Sequence, residues 1–205
     1  MLLKQYIFAT QRYNEMIRLA IFASGEGTNA QSFIDHFKGR KEIGISLVVS
    51  NNFAAKVIQR AMNAGISHLI IDKQTFYKSD EIVTVLKQKA DFIVLAGFMW
   101  MVPENLIKAF PNKIINIHPA LLPKYGGKGM YGMHVHEAVI ADKERKSGIT
   151  IHYVNEKYDE GKIIFQKECN IHPSDSPASL AERIHELEHR YYPGAVEKLL
   201  LENIS

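Results

Sequence analysis

Cysteine is nearly absent from this chain: Cys169 is the one cysteine among 205 residues. That excludes an internal disulfide framework and any cysteine-based zinc site, and it suits a reducing, cytoplasmic compartment. Long apolar runs are missing too. No stretch approaches the roughly 18–20 residues needed to span a bilayer, and Lys4 and Gln5 interrupt any would-be signal core near the N-terminus. A surplus of one charge sign is also lacking. Lys and Arg number 25 against 22 Asp and Glu, a net charge of +3, with the two signs evenly interspersed. Such a balance argues against a polyanion groove and against nucleic acid as a partner. No repeat, linker or low-complexity tract divides the chain.

The chain has enough length and apolar content for one domain with a large core: 46% hydrophobic and 23% charged residues fall in the globular range. Residues 1–15 lack clear periodicity and end just before Met16, an alternative start. They are taken as a dispensable extension to a domain spanning residues 16–205. From Ile17 onward, short β-rich runs alternate with amphipathic stretches, the pattern of βαβ units around a parallel sheet. Strands are expected at residues 18–23, 43–49, 67–71, 91–96 and 113–117, several of them continuous apolar runs suited to burial on both faces. Helices are expected at residues 28–37, 54–64 and 80–89. A Gly- and Pro-rich loop follows at 119–132, then a helix from about His134, strands at 148–154 and 162–169, and a C-terminal helix after Pro177.

Three segments carry chemistry. The first, Ser24-Gly25-Glu26-Gly27-Thr28-Asn29, joins a strand to a helix. Its glycines let the backbone approach a ligand, and the free N–H groups of the helix start, with Thr28 and Asn29, suit a phosphate. It is neither a Walker loop nor a dinucleotide fingerprint, because Ala30 replaces the third glycine. A plain tight turn with Thr28 or Asn29 capping the helix is the competing reading. The second segment, Asn116-Ile117-His118-Pro119, ends the fifth strand, where ligands lie in open α/β sheets. Residues two apart on a strand share a face, so Asn116 and His118 project together, an amide donor beside an imidazole suited to an oxyanion. The third, residues 154–161, is a polar loop holding Glu156, Asp159 and Glu160; a carboxylate there could reach His118 and favour its charged form, or the loop is a plain polar hairpin.

Two further motifs look metal-like. His185-Glu186-Leu187-Glu188-His189 is a literal H-E-x-x-H, but the chain ends soon after it and leaves little room for a third ligand. In His134-Val135-His136-Glu137 the histidines are two apart on a helix and do not face one another, which favours contact with solvent or substrate over a metal. No metal is expected.

Taken together, Ser24-Gly25-Glu26-Gly27-Thr28-Asn29, Leu95-Ala96-Gly97-Phe98-Met99, the run from Asn116 through Pro119 and Leu121-Leu122-Pro123-Lys124 to Tyr125, and Asp159-Glu160-Gly161 resemble the phosphoribosylglycinamide formyltransferases of purine synthesis. These are folate-dependent formyltransferases. The likeness runs from about Ile17 to the C-terminus. It implies a Rossmann-like α/β fold, a mostly parallel sheet with helices on both faces, and formyl transfer from 10-formyltetrahydrofolate, a consumed cosubstrate, to the glycinamide amine. It further implies that Gly27, Thr28 and Asn29 hold the phosphate and Glu188 the ribose hydroxyls. Met99, Trp100, Met101, Val102 and Asn116 line the folate site, and Asn116, His118 and Asp159 form the catalytic group, Asp159 keeping His118 charged.

The chain departs from that pattern at Trp100, where arginine is usual, in the longer segment 126–132, and in a shortened stretch at 76–91 that leaves Lys78 or Ser79 as a weak folate contact. Transfer-RNA formyltransferases and folate deformylases share the catalytic group but carry extra domains. The remaining rivals are a sugar-nucleotide formyltransferase, a silent phosphate-ligand binding module and a zinc hydrolase. A monomer or homodimer acting on a small molecule is expected.

Overall fold

The computed structural model describes residues 16–202; the expectation about residues 1–15 lies outside them. Seven strands form one sheet in the order β3-β2-β1-β4-β5-β6-β7. The strands β1 (Ile17–Phe22), β2 (Ile43–Ser50), β3 (His68–Ile70), β4 (Phe92–Leu95) and β5 (Ile114–His118) run parallel. The last two, β6 (Lys146–Tyr153) and β7 (Ile163–Asn170), are antiparallel to their neighbours. The mostly parallel sheet with helices on both faces is therefore present.

Strand alternation sorts the core. On β1, Leu19 and Ile21 join one apolar cluster while Ala20 and Phe22 join the other. On β5, Ile115 and Ile117 belong to the first and Ile114 to the second. Both faces are thus apolar, as a sheet covered on both sides requires. One face is covered by α1 (Thr28–Phe37), α2 (Lys56–Asn63), α6 (Met133–Ala141) and α7 (Pro177–Glu202), which contribute residues such as Phe33, Val57, Val139 and Ile184. The other is covered by α3 (Lys73–Lys78), α4 (Glu81–Lys89) and α5 (Glu104–Ala109), through Phe76, Leu86 and Leu106.

Helices α3 and α5 were not anticipated from the sequence. Each is six residues long, too short to show a helical period. The first is held by a capping box: the Asp72 side chain accepts from the Thr75 N–H at 2.7 Å, while Thr75 Oγ1 lies 3.3 Å from the Asp72 N–H. Phe76 of α3 then meets Phe22, Phe98 and Trp100 in an aromatic cluster. Trp100 also lies against Tyr77, whose hydroxyl donates to the Met101 carbonyl at 3.1 Å. Trp100 thus completes a local stack that a charged side chain would not.

Sheet order fixes where a site can form. Strand β1 has β2 on one side and β4 on the other, so the connections leaving its carboxyl end diverge and leave a crevice there. Helix α7 closes one wall. Tyr192, fully buried, donates to the carbonyls of Leu95 and Ile115 at 3.1 and 3.2 Å, pinning the helix against the ends of β4 and β5. One turn earlier on the same face stands Glu188.

Candidate active site

A cavity of about 650 Å³ opens at the carboxyl ends of β1, β4 and β5, a size suited to a drug-sized ligand. The residues assigned to phosphate, ribose, folate and catalysis line it: Gly27, Thr28 and Asn29; Met99, Trp100, Met101 and Val102; Asn116 and His118; Asp159; and Glu188. Lys78 and Ser79 do not. The Ser79 hydroxyl donates to the Thr75 carbonyl at 3.0 Å.

The loop after β1 is shaped by Gly27. Its φ of 68° lies in the left-handed region, and an added Cβ would sit 2.6 Å from Val57 Cβ. Only glycine fits. Gly27 is also the N-cap of α1, with no side-chain cap, so neither Thr28 nor Asn29 caps the helix. Both are its first residues, and the unpaired amides of this turn are left for a ligand. The Asn29 side chain is committed elsewhere: Nδ2 donates to Glu188 Oε2 at 2.8 Å. Glu188 is buried, and that burial pushes its carboxyl above the ordinary value, with the Asn29 hydrogen bond and His185 opposing.

Ser24 ties this loop to the segment after β4. Its N–H donates to the Gly97 carbonyl at 3.0 Å and its hydroxyl accepts from the Met99 N–H at 2.8 Å. Met99 and Met101 are exposed thioethers at the rim, whereas Val102 is buried.

The centre of the cleft holds a linked set of amide, imidazoles and carboxylate. Asn116 and His152 are register partners on the antiparallel pair β5–β6, and Asn116 Nδ2 lies 3.2 Å from His152 Nε2. His152 Nδ1 lies 2.9 Å from the Tyr153 carbonyl, which can only accept. That assigns the hydrogen to Nδ1 and makes Nε2 the acceptor for Asn116. By the same reasoning His118 Nε2 donates to the Tyr125 carbonyl at 2.7 Å. Its Nδ1 faces Asp159 Oδ2 at 3.6 Å, and Asp159 Oδ1 is 3.6 Å from His152 Nε2. Asp159, at a φ of 54°, is fixed by the Gly127 N–H, which donates to Oδ2 at 2.9 Å. An added Cβ at Gly126 would lie 2.5 Å from Leu122 Cδ2 and 3.3 Å from Asp159 Cβ, so glycine at that position permits the close approach of this loop to the carboxylate.

Burial pushes His118 below the ordinary imidazole value; Asp159 and the Tyr125 carbonyl pull it back, His152 adds to the lowering, and the net direction is down. Asp159 thus opposes the effect of burial on His118. Burial also raises Asp159, but His152, the Gly127 amide and His118 together hold it below the usual carboxylate range.

Sequence reasoning missed His152, an inward-facing strand residue whose role depends on register. His136 and His185, noticed in the sequence only through their metal-like motifs, both line the cleft. In the H-E-x-x-H run, Glu188 rather than Glu186 is the buried acid, and the rings of His185 and His189 stack 6.5 Å apart. Among the described residues no three His, Cys, Asp or Glu side chains are grouped to hold a metal ion. Among the same residues no helix is long and apolar enough to cross a membrane.

Residues 17–196 match the formyl transferase family. The chain is 40% identical over 194 residues to the chloroplastic phosphoribosylglycinamide formyltransferase of Arabidopsis thaliana, covering 91% of this chain and 66% of that one, just under two thirds of its length. It is 34% identical over 191 residues to the phosphoribosylglycinamide formyltransferase of Bacillus subtilis, covering 90% of this chain and 95% of the relative. The crystal structure of the phosphoribosylglycinamide formyltransferase from Bacillus halodurans superposes with a TM-score of 0.81 at 39% identity, over 89% of this chain and 95% of that one. The chain belongs to the formyl transferase family, in its phosphoribosylglycinamide formyltransferase branch.

Proposed function

We propose that this cleft transfers a formyl group from 10-formyltetrahydrofolate to the amine of phosphoribosylglycinamide. The observation that carries the reading is the convergence of Asn116, His118 and Asp159 at one point of a cavity that has a helix N-terminus at one end and an apolar, thioether-rich rim at the other. The first end suits a phosphate, with Gly27, Thr28 and Asn29 supplying backbone N–H groups and Glu188 accepting from the ribose hydroxyls. The rim at Met99, Trp100, Met101 and Val102 suits the pterin and benzoyl rings of the donor.

Bound at the rim, 10-formyltetrahydrofolate supplies the formyl carbon that the substrate amine attacks. One Nδ2 hydrogen of Asn116 is held by His152, which aims the other at the oxygen that becomes an anion in the tetrahedral intermediate. His118 carries the proton traffic. Its Nε2 is committed to the Tyr125 carbonyl, leaving Nδ1, beside Asp159, to hold a proton and deliver it to the departing folate nitrogen. Asp159 favours the protonated imidazole and fixes its plane. The amine loses its proton as the formamide forms, so His118 can be recharged within the cycle. No step calls for a metal.

The reading includes a reducing, cytoplasmic setting, supported by the lone thiol of Cys169, and a monomer or homodimer acting on small molecules. The test is spectroscopic: loss of 10-formyltetrahydrofolate with phosphoribosylglycinamide as acceptor, with and without chelator. Turnover that ignores the chelator supports the reading. Turnover only with a sugar nucleotide, ligand binding without formyl transfer, or chelator-sensitive hydrolysis would replace it with one of the rivals.

A further inference from the structure

His136 stands in the wall of the cleft with no part yet assigned to it. It sits on α6, on the buried face it shares with Val139, and is 2% exposed. Its Nδ1 is buried without a hydrogen-bond partner. His134, two positions earlier, is exposed and paired with Glu137 at 3.3 Å, so the two histidines of the motif have different surroundings.

A buried imidazole with one sealed, unpaired nitrogen has a preferred arrangement of its hydrogen. Burying an N–H without an acceptor is the costlier choice, because orphaned buried donors are rarer than under-satisfied acceptors. The neutral ring therefore keeps Nδ1 bare and carries its hydrogen on Nε2. Neutrality itself follows from the surroundings: burial first, then His185 and His118, push His136 down to about 4. The charged and titratable groups around this wall are His118 on β5 and His185 and Glu188 on α7.

His136 is thus near enough to feel both His118, assigned to the reacting centre, and His185, which stands one turn before Glu188, the group assigned to the sugar, and all four line the same cleft. On the reading above, the part of the substrate that spans this interval is the glycinamide arm, whose carbonyl oxygen is an acceptor and whose amine must point at the formyl carbon. We infer that the neutral Nε2–H of His136 donates to the carbonyl of the glycinamide arm and so aims the amine. A neutral donor is well suited here. A cation at this point would repel the charged His118 and would favour protonation of neither the amine nor its neighbour.

This inference rests on the proposed reaction, so its test uses two ligands. Phosphoribosylglycinamide has the arm, whereas ribose 5-phosphate has the phosphate and sugar but lacks it. His136→Leu is expected to weaken binding of phosphoribosylglycinamide by about tenfold, the scale of one lost hydrogen bond, and to leave ribose 5-phosphate within about twofold, as measured by calorimetry. His136→Gln, whose amide nitrogen falls near the place of Nε2, is expected to recover most of that loss.

Equal weakening of both ligands, no change in either, or a folded Gln variant no better than Leu would overturn the inference. Nitrogen NMR of the unaltered protein decides the matter independently of any variant. The Nε2–H tautomer of His136, shifting when phosphoribosylglycinamide is added, supports it, and an Nδ1–H or charged ring overturns it. If the unaltered protein binds both ligands as described but transfers no formyl group, the proposed reaction falls and the contact stands.

Discussion

The Asn116 amide and the His152 ring face each other across two antiparallel strands, with Nδ2 3.2 Å from Nε2. The contact fixes which way the amide turns. It leaves one N–H free to face the cleft, and on the proposed reaction it makes His152 a positioning residue for the amide.

Two substitutions test this arrangement. Asn116→Ala removes the proposed oxyanion donor and is expected to lower kcat by about 10²–10³ with the fold intact. His152→Phe keeps the ring but loses the acceptor that aims the amide, so its kcat should fall too, by a smaller factor. Combined, the two changes should cost little more than Asn116→Ala alone, because they act on one donor. Fully additive losses in a double-mutant cycle would show that His152 has a separate role.

Asp159→Asn separates charge from shape. The carboxylate raises the His118 pKa against the lowering effect of burial. Without it the proton is held less tightly, so the limb of the pH–rate profile on which His118 is deprotonated moves to lower pH. Circular dichroism should show an unchanged fold, since the asparagine oxygen can still accept from the Gly127 N–H. An unmoved limb would make Asp159 a turn residue only.

Glu188 presents a conflict between stability and binding. Its raised pKa means that the folded protein holds this proton more tightly than the unfolded chain. Protonation therefore favours the fold, and stability is lost as pH rises through the folded pKa. Glu188→Gln should raise Tm at pH 8, by about 2–4 °C for each kcal/mol recovered, with little gain at pH 4. It should also raise KM for the phosphoribosyl substrate. A lower Tm at pH 8 would mean that the Asn29 hydrogen bond more than offsets the cost of burial.

Gly27→Ala asks for a left-handed φ and places a methyl group against Val57. A loss of about 1–3 kcal/mol in thermal unfolding is expected, together with weaker binding of inorganic phosphate. Preserved stability would mean that α2 can retreat from the loop.

How much of this was legible in the sequence depends on whether the cause was local. The parallel strands show as apolar runs because both faces of each are covered, and the shared face of Asn116 and His118 follows from strand periodicity alone. The loop at Gly27 was marked by its own glycines. Asp159 was different: nothing local separates it from a turn residue, and its place came only through resemblance. His152 was hidden because strand register, not spacing, sets it beside Asn116. Asn29 was read as a phosphate ligand, but its side chain turns to Glu188, 159 positions away in sequence, a contact that exists only once α7 is docked through Tyr192. The short helices α3 and α5 escaped because one and a half turns leave no period to detect.

The Ser24 hydroxyl reaches from the loop proposed to hold the phosphate to the Met99 amide in the segment proposed to hold the folate. Fixing either loop removes motional freedom from both, so the second ligand meets a partner that has already lost part of its disorder. The two occupancies should then be thermodynamically coupled, and by the same factor in either order of addition. Ser24→Ala should bring that factor toward unity in paired calorimetric titrations, leaving an enzyme whose half-sites fill without notice of each other.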